Sequence, residues 1–179
     1  MMLLLVAGWS FAEAMLFFLV ADVAISLVAV RHGWRPAVTA ALVASLAAAA
    51  GGAATYGWAA ADPAGAHAAI LALPAIDEAL IAATRERLAA DGNIAMLWGS
   101  LSGVPYKLYA LAAGEGARPL LPFLLASPLV RLPRFLLVAL ATAGIGALLA
   151  KRLGMRARLI ILAGCWALFY AWYFAVMPG

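Results

Sequence analysis

Charge is scarce in this chain of 179 residues. Asp, Glu, Lys and Arg together make up 11% of it, against about a quarter in an ordinary soluble domain. So little polar surface cannot cover a soluble monomer, because a chain this size still leaves about a third of its unfolded surface exposed after folding. Cysteine is nearly absent, and the single Cys165 excludes an intramolecular disulfide and with it a disulfide scaffold. No Lys or Arg precedes Arg31, so the apolar N-terminus lacks the basic region of a signal peptide and reads as mature sequence. No Ser-His-Asp, Cys-His or paired-metal pattern occurs, and His32 and His67 have no metal-ligating neighbours in the sequence. The expectation is a protein that is not an enzyme and uses no cofactor or metal.

Apolar residues, by contrast, make up 68% of the chain. That fraction points to an all-α integral membrane protein with several spans. The formal charge is only +4, and the basic residues sit in short clusters between apolar runs. Such clusters read as membrane-flanking charge, and no nucleic-acid partner is expected.

Five apolar stretches emerge in what reads as a single membrane domain, residues 1–179. The first half covers 3–61 and contains stretches 3–30 and 36–61. The second half covers 94–150 and contains stretches 94–113 and 120–150. A last stretch covers 159–177. Since about 20 apolar residues cross a bilayer, 36–61 and 159–177 read as spans, and 135–150 with its flanks as a third. Residues 62–93 form the water-compatible segment. There, Pro74 is placed to open a helix with Asp77 and Glu78 in its first turn, Ile76, Leu80 and Leu88 on one face, and Gly92 as its stop. This reads either as an amphipathic helix on the membrane surface or as a plain extramembrane helix.

Loop charge sets the orientation. Lys151, Arg152, Arg156 and Arg158 crowd one short loop, and Arg31 and Arg35 flank another, which places both loops inside. The 62–93 segment holds five acids against two arginines and belongs outside. Residues 94–133 must then cross an even number of times, although Pro or Gly breaks each part of them. Re-entrant half-helices satisfy that count, and non-helical backbone at membrane depth survives only beside protein or a watery cavity. The 3–30 stretch either crosses or folds back.

Four charges lie deep in apolar sequence: Glu13, Asp22, Arg131 and Arg134. Each costs about 2.5–3.5 kcal/mol at mid-membrane on insertion scales. They must therefore pair, snorkel or line water. Arg131 and Arg134 share a helix face, and Pro133 between them suggests a helix start aiming backbone N–H groups the same way, which suits a phosphate. Glu13 and Asp22 fall on opposite faces of an unbroken helix, so a break near Phe17–Phe18 is needed to bring both to one cavity. The alternative is that these charges are structural ion pairs, or that the arginines snorkel to headgroups.

Pro105-Tyr106-Lys107 and Arg131-Leu132-Pro133-Arg134-Phe135 resemble motifs of the DedA superfamily, the VTT-domain or SNARE-associated-like membrane proteins, and most of all its YqaA-like branch. Glu13, Phe17-Phe18 and Asp22 are similar to the family's acidic-aromatic-acidic opening, and Gly51, Gly52 and Tyr56 to its Gly-rich second helix. The likeness covers about residues 11–146. The chain departs from the pattern at Leu19-Val20-Ala21, where relatives carry prolines, and at Gly57-Trp58, where relatives often carry Gly-Arg. The resemblance implies an inverted repeat, each half a re-entrant hairpin followed by a transmembrane helix, with an additional C-terminal transmembrane helix in this chain. It also implies translocation of an anionic lipid, a phospholipid or polyprenyl phosphate such as undecaprenyl phosphate, across the bacterial inner membrane with proton or sodium coupling. Carried over, the family's embedded acids fall on Glu13 and Asp22 and its arginines on Arg131 and Arg134.

Lys107 can reach the same phosphate or can snorkel. Tyr106 and Tyr109 read as belt or cavity packing, and Glu115 and Arg118 as solvated turn residues. Gly51-Gly52 and Gly144-Ile145-Gly146 read as small-residue packing surfaces. The aromatic residues Trp166 to Phe174 read as an interfacial belt facing lipid, with a homodimer interface as the alternative.

Overall fold

The first apolar stretch is not one helix. It forms α1 (Met2–Met15), an irregular segment at 16–21, and α2 (Asp22–His32) in the computed structural model, which describes residues 1–176. At about 1.5 Å per residue α1 is roughly 21 Å long, short of the roughly 30 Å hydrocarbon core. The missing prolines do not prevent the break. Gly33, at φ +81°, separates α2 from α3 (Trp34–Ala61), a 28-residue helix. Alanine is the strongest helix former, and α3 is rich in it. Its buried face is made of small residues: Ala37, Ala41, Ala44, Ala48, Gly51, Gly52 and Thr55.

That face lets neighbours approach closely. A Cβ on Gly51 would collide with the Phe11 carbonyl and the Ala14 methyl of α1, and one on Gly52 with the Tyr106 ring. Side chains at these two positions would push α1 and the second half of the chain off α3.

Residues 62–93, the segment read as water-compatible, hold two helices. Asp62 caps α4 (Pro63–Leu71), accepting from the Gly65 N–H, with Pro63 at its first position. Asp77 caps α5 (Glu78–Asp91), accepting from the Leu80 N–H at 2.7 Å. The expected start at Pro74 is therefore corrected to Glu78. A capping carboxylate at Asp77 decides the boundary, and Ala75 beside Pro74 sits at φ +60°, outside helical geometry. Gly92, at φ +63°, ends α5 as expected. Ile81, Thr84 and Leu88 form its buried face, and α5 packs on the second half of the chain through it.

After a single 3-10 turn (Gly92–Ile94) come two short helices, α6 (Ala95–Ser102) and α7 (Tyr106–Glu115), split at Gly103, which has φ +90°. At about 12 and 15 Å neither can cross a bilayer alone. α8 (Leu120–Ala150) then runs unbroken for 31 residues, with Pro128 and Pro133 inside it. The expected helix start at Pro133 is wrong, so α8 offers no N-terminus at the arginines. A proline inside a helix loses one backbone bond, which neighbouring helices and side chains in a membrane can compensate. The last helix, α9 (Met155–Val176), contains no buried residue. The expected end of this span at Met177 lies outside the described residues.

α3, α8 and α9 are each long and apolar enough to cross a membrane. The chain is an all-helical, multi-pass membrane protein. A helix–break–helix unit followed by a long helix occurs twice, as α1–α2–α3 and α6–α7–α8. The packing follows the same pattern: α1 and α7 lie against α3, α2 and α6 lie against α8, and the two long helices pack on each other.

Candidate functional site: a charged cavity between the two chain breaks

The two breaks meet. Segment 16–21 and segment 103–105 both line one cavity of about 90 Å³, with Glu13 and Asp22 from one side, Lys107 from another, and Arg131 and Arg134 from α8. That volume holds several water molecules. The break after α1 brings Glu13 and Asp22, nine residues apart, to a common space. Along α8, a separation of three residues puts Arg131 and Arg134 on one face.

Each arginine has a carboxylate. Arg131 donates to Glu13 Oε2 at 2.5 Å, and Arg134 donates to Asp22 Oδ2 at 2.7 Å. Glu13, Asp22, Lys107 and Arg131 are buried, while the Arg134 side chain remains 26% exposed. The Arg131 guanidinium also lies over the Tyr106 ring at 4.7 Å and near the Phe135 ring at 4.9 Å, so aromatic faces replace part of its lost hydration. Tyr106 is held in place by a hydrogen bond to Ser127 Oγ at 2.5 Å, which in turn donates to the Phe123 carbonyl. The second nitrogen of Arg134 donates to the Ser100 carbonyl at 2.9 Å, in the last turn of α6.

The polar groups are incompletely matched. Asp22 Oδ1 and Arg131 Nε are buried without a partner among the described residues. Among the described residues Lys107 has no carboxylate partner. Its Nζ donates to the Phe17 carbonyl at 2.8 Å, so the second break is fastened to the first. By formal charge the cavity holds three cations against two carboxylates.

The unwound backbone at 16–21 is provided for in detail, as membrane depth requires. The Phe17 N–H donates to the Ala12 carbonyl. The Leu19 carbonyl accepts from Trp9 Nε1 at 3.1 Å, and the Val20 N–H donates to the Tyr170 hydroxyl at 2.8 Å. Trp166 Nε1 donates to Ser26 Oγ at 2.9 Å. The reading of α9 as a belt that only faces lipid is thus corrected, because one side of it serves the first break. Tyr106 and Tyr109 are buried, not interfacial.

All five charged residues singled out in the sequence converge here. Sequence reasoning missed Ser127, Tyr170 and the Ser100 and Phe17 carbonyls. A backbone carbonyl carries no sequence signal, and Tyr170 lies in an aromatic run that has an ordinary membrane explanation.

A second polar cluster lies outside the membrane helices. His67 Nε2 is 3.0 Å from Glu78 Oε2, its Nδ1 is 3.2 Å from Glu115 Oε1, and Arg85 donates to Glu115 Oε2 at 2.5 Å. Glu115, expected to be solvated, is mostly buried in these contacts, with a side-chain exposure of 13%. His67, expected to lack such neighbours, joins α4 to α5 and α7. Among the described residues no three His, Cys, Asp or Glu side chains converge to hold a metal ion. No family model matches the chain, and no curated protein and no solved structure matches it either. Its kind is therefore given by its own helices and site: an all-helical, multi-pass membrane protein with a charged cavity between two chain breaks.

Proposed function

We propose that the protein translocates an anionic lipid across the membrane, in the manner implied by its resemblance to the DedA superfamily, and that it is not an enzyme. The observation that carries this reading is the charge of the cavity. Three cations and two carboxylates share an enclosed space whose net formal charge is positive, with donors left over at Lys107 and Arg131 Nε. A phosphate in that space would receive charge-assisted hydrogen bonds from guanidinium groups already positioned for it. It would take Arg131 and Arg134 from Glu13 and Asp22, and each displaced carboxylate would then bind a proton or a sodium ion. Headgroup movement and ion movement are coupled by that exchange.

The two helix–break–helix units are read as re-entrant hairpins of an inverted repeat. The repeated packing pattern supports this, since exchanging α1–α2–α3 for α6–α7–α8 maps α1 on α3 onto α6 on α8, and α2 on α8 onto α7 on α3. The bacterial inner membrane is the proposed location. A second reading rests on the same ion pairs. With both arginines already paired at 2.5 and 2.7 Å, the charges could serve only to lock α8 to α1 and α2 in a non-transporting subunit.

Reconstituted vesicles with a fluorescent anionic lipid distinguish the two. Arg131→Ala and Glu13→Gln are expected to reduce translocation to about a tenth of the wild-type rate or less, about 1.4 kcal/mol in the barrier. Wild-type rates in both variants, with the folded protein recovered equally, would remove the transport reading and leave the structural one.

A further inference from the structure

The cavity is walled on one side by rings that also face outward. Phe18 in the first break and Phe169 and Phe174 in α9 line it, yet they are 45%, 38% and 41% exposed. A space of about 90 Å³ cannot account for that much bare surface on three phenylalanines, so their outer faces meet the surroundings of the helices. The wall is one side chain thick. The cavity's other walls are helices, the second break and the loop at 73–76, with Met96, Tyr106 and Tyr109 buried behind it.

The fastening along this wall is slight. α9 buries no residue. At the cavity's level it is held to the first half by the Val20–Tyr170 and Ser26–Trp166 hydrogen bonds and by ring contacts, Phe18 to Phe174 among them at 6.1 Å. Two hydrogen bonds and a tilted ring contact amount to a few kcal/mol at most. The four helices α1, α2, α3 and α8, by contrast, interlock through a shared core.

We propose that the seam between segment 16–21 and α9, at Phe18, Tyr170 and Phe174, is a lateral doorway that seats the hydrocarbon chain of an anionic amphiphile while its headgroup occupies the charged cavity. This rests on the anion-binding reading above and adds the ligand's second half. Continuity with the cavity identifies the occupant: an apolar, aromatic-edged seam leads outward from a pocket with surplus cations, and an acyl or polyprenyl chain beneath a phosphate has that same order of chemistry. A free inorganic anion would need no such seam. Parting the seam frees the Val20 N–H and the Tyr170 hydroxyl, two polar groups placed to meet the headgroup as it passes.

The test joins the two sides of the seam. Phe18→Cys and Phe174→Cys are introduced with Cys165→Ser, and the pair is bridged by a short bifunctional maleimide whose linker is cleavable by reductant. Bridged protein in vesicles should translocate a fluorescent anionic phospholipid at about a tenth of the unbridged rate or less, and cleavage of the linker should restore it. Binding of inorganic phosphate to the same protein in detergent should be unchanged by the bridge, because a free anion does not use the seam. Undiminished lipid translocation by the bridged protein would overturn the doorway alone. Equal loss of phosphate binding would also overturn it, by making the seam part of the headgroup site. Absence of translocation before bridging would overturn the doorway and the transport reading together.

Discussion

The ion pairs show how much a single residue decides here. Glu13 and Arg131 are both buried, and removing one partner strands the other charge in a medium that cannot hydrate it. Glu13→Leu should therefore lower unfolding stability in detergent by about 3–5 kcal/mol, and adding Arg131→Met should recover most of that loss. Denaturant unfolding of the two variants checks this. A double variant no more stable than the single would mean that the pair does not hold α1 against α8. Lys107 is of another kind, since it binds a carbonyl of the opposite break and so fixes geometry as well as charge. The other four residues were legible in the sequence as a set of costly charges, and Lys107 as a cation able either to reach the same phosphate or to snorkel. Its partner was not, because any residue has a carbonyl.

Among the elements, α8 and the first break show where local signals mislead. Pro133 looks like a helix start, yet α8 runs through it, and Leu19-Val20-Ala21 lacks prolines, yet the helix stops before it. At the first break tertiary partners outweigh propensity: trapped carbonyls and N–H groups find donors and acceptors on Lys107, Trp9 and Tyr170. The extramembrane helices are joined by a titratable element. Hydrogen bonding to Glu78, aided by Glu115, raises the His67 pKa above its ordinary 6.5, against partial burial that lowers it. Folding thus favours protonated His67. The stabilisation is complete below about pH 6.5 and is lost as pH rises through the raised value. His67→Gln should therefore reduce stability at about pH 5.5, by about 0.2–1 kcal/mol for a largely surface cluster, and change little at about pH 9. Melting curves of both proteins at the two pH values measure it. An effect of equal size at both would remove the ionic account.

At the scale of the whole molecule, charge is segregated by end. Gly146, near the C-terminal end of α8, lies against Val30, near the end of α2, so Arg31, Arg35 and the Lys151–Arg158 loop share one end, which carries no acid. Asp62, Asp77, Glu78, Glu86, Asp91 and Glu115 belong to the other. Short loops rich in Lys and Arg stay inside. In a Cys165→Ser background, Arg152→Cys should react with an impermeant thiol reagent only from the inside. On the re-entrant reading proposed above, Asn93→Cys and Gly116→Cys should both react only from the outside, because α6 and α7 between them would cross nothing. Labelling of positions 93 and 116 from opposite faces would exclude a re-entrant second hairpin.

Composition alone determined that this chain lives in a bilayer, and the distribution of Arg and acid predicts which end faces inward, because both follow from the transfer of side chains between water and hydrocarbon. The cost of burying charge also marked Glu13, Asp22, Arg131 and Arg134 before any coordinates. Which carboxylate meets which guanidinium was left to the tertiary structure. So were the unbroken course of α8 through Pro133 and the service of Tyr170 to a distant backbone N–H. These depend on contacts between residues more than a hundred positions apart, where a buried polar group takes whatever partner the packing brings within reach.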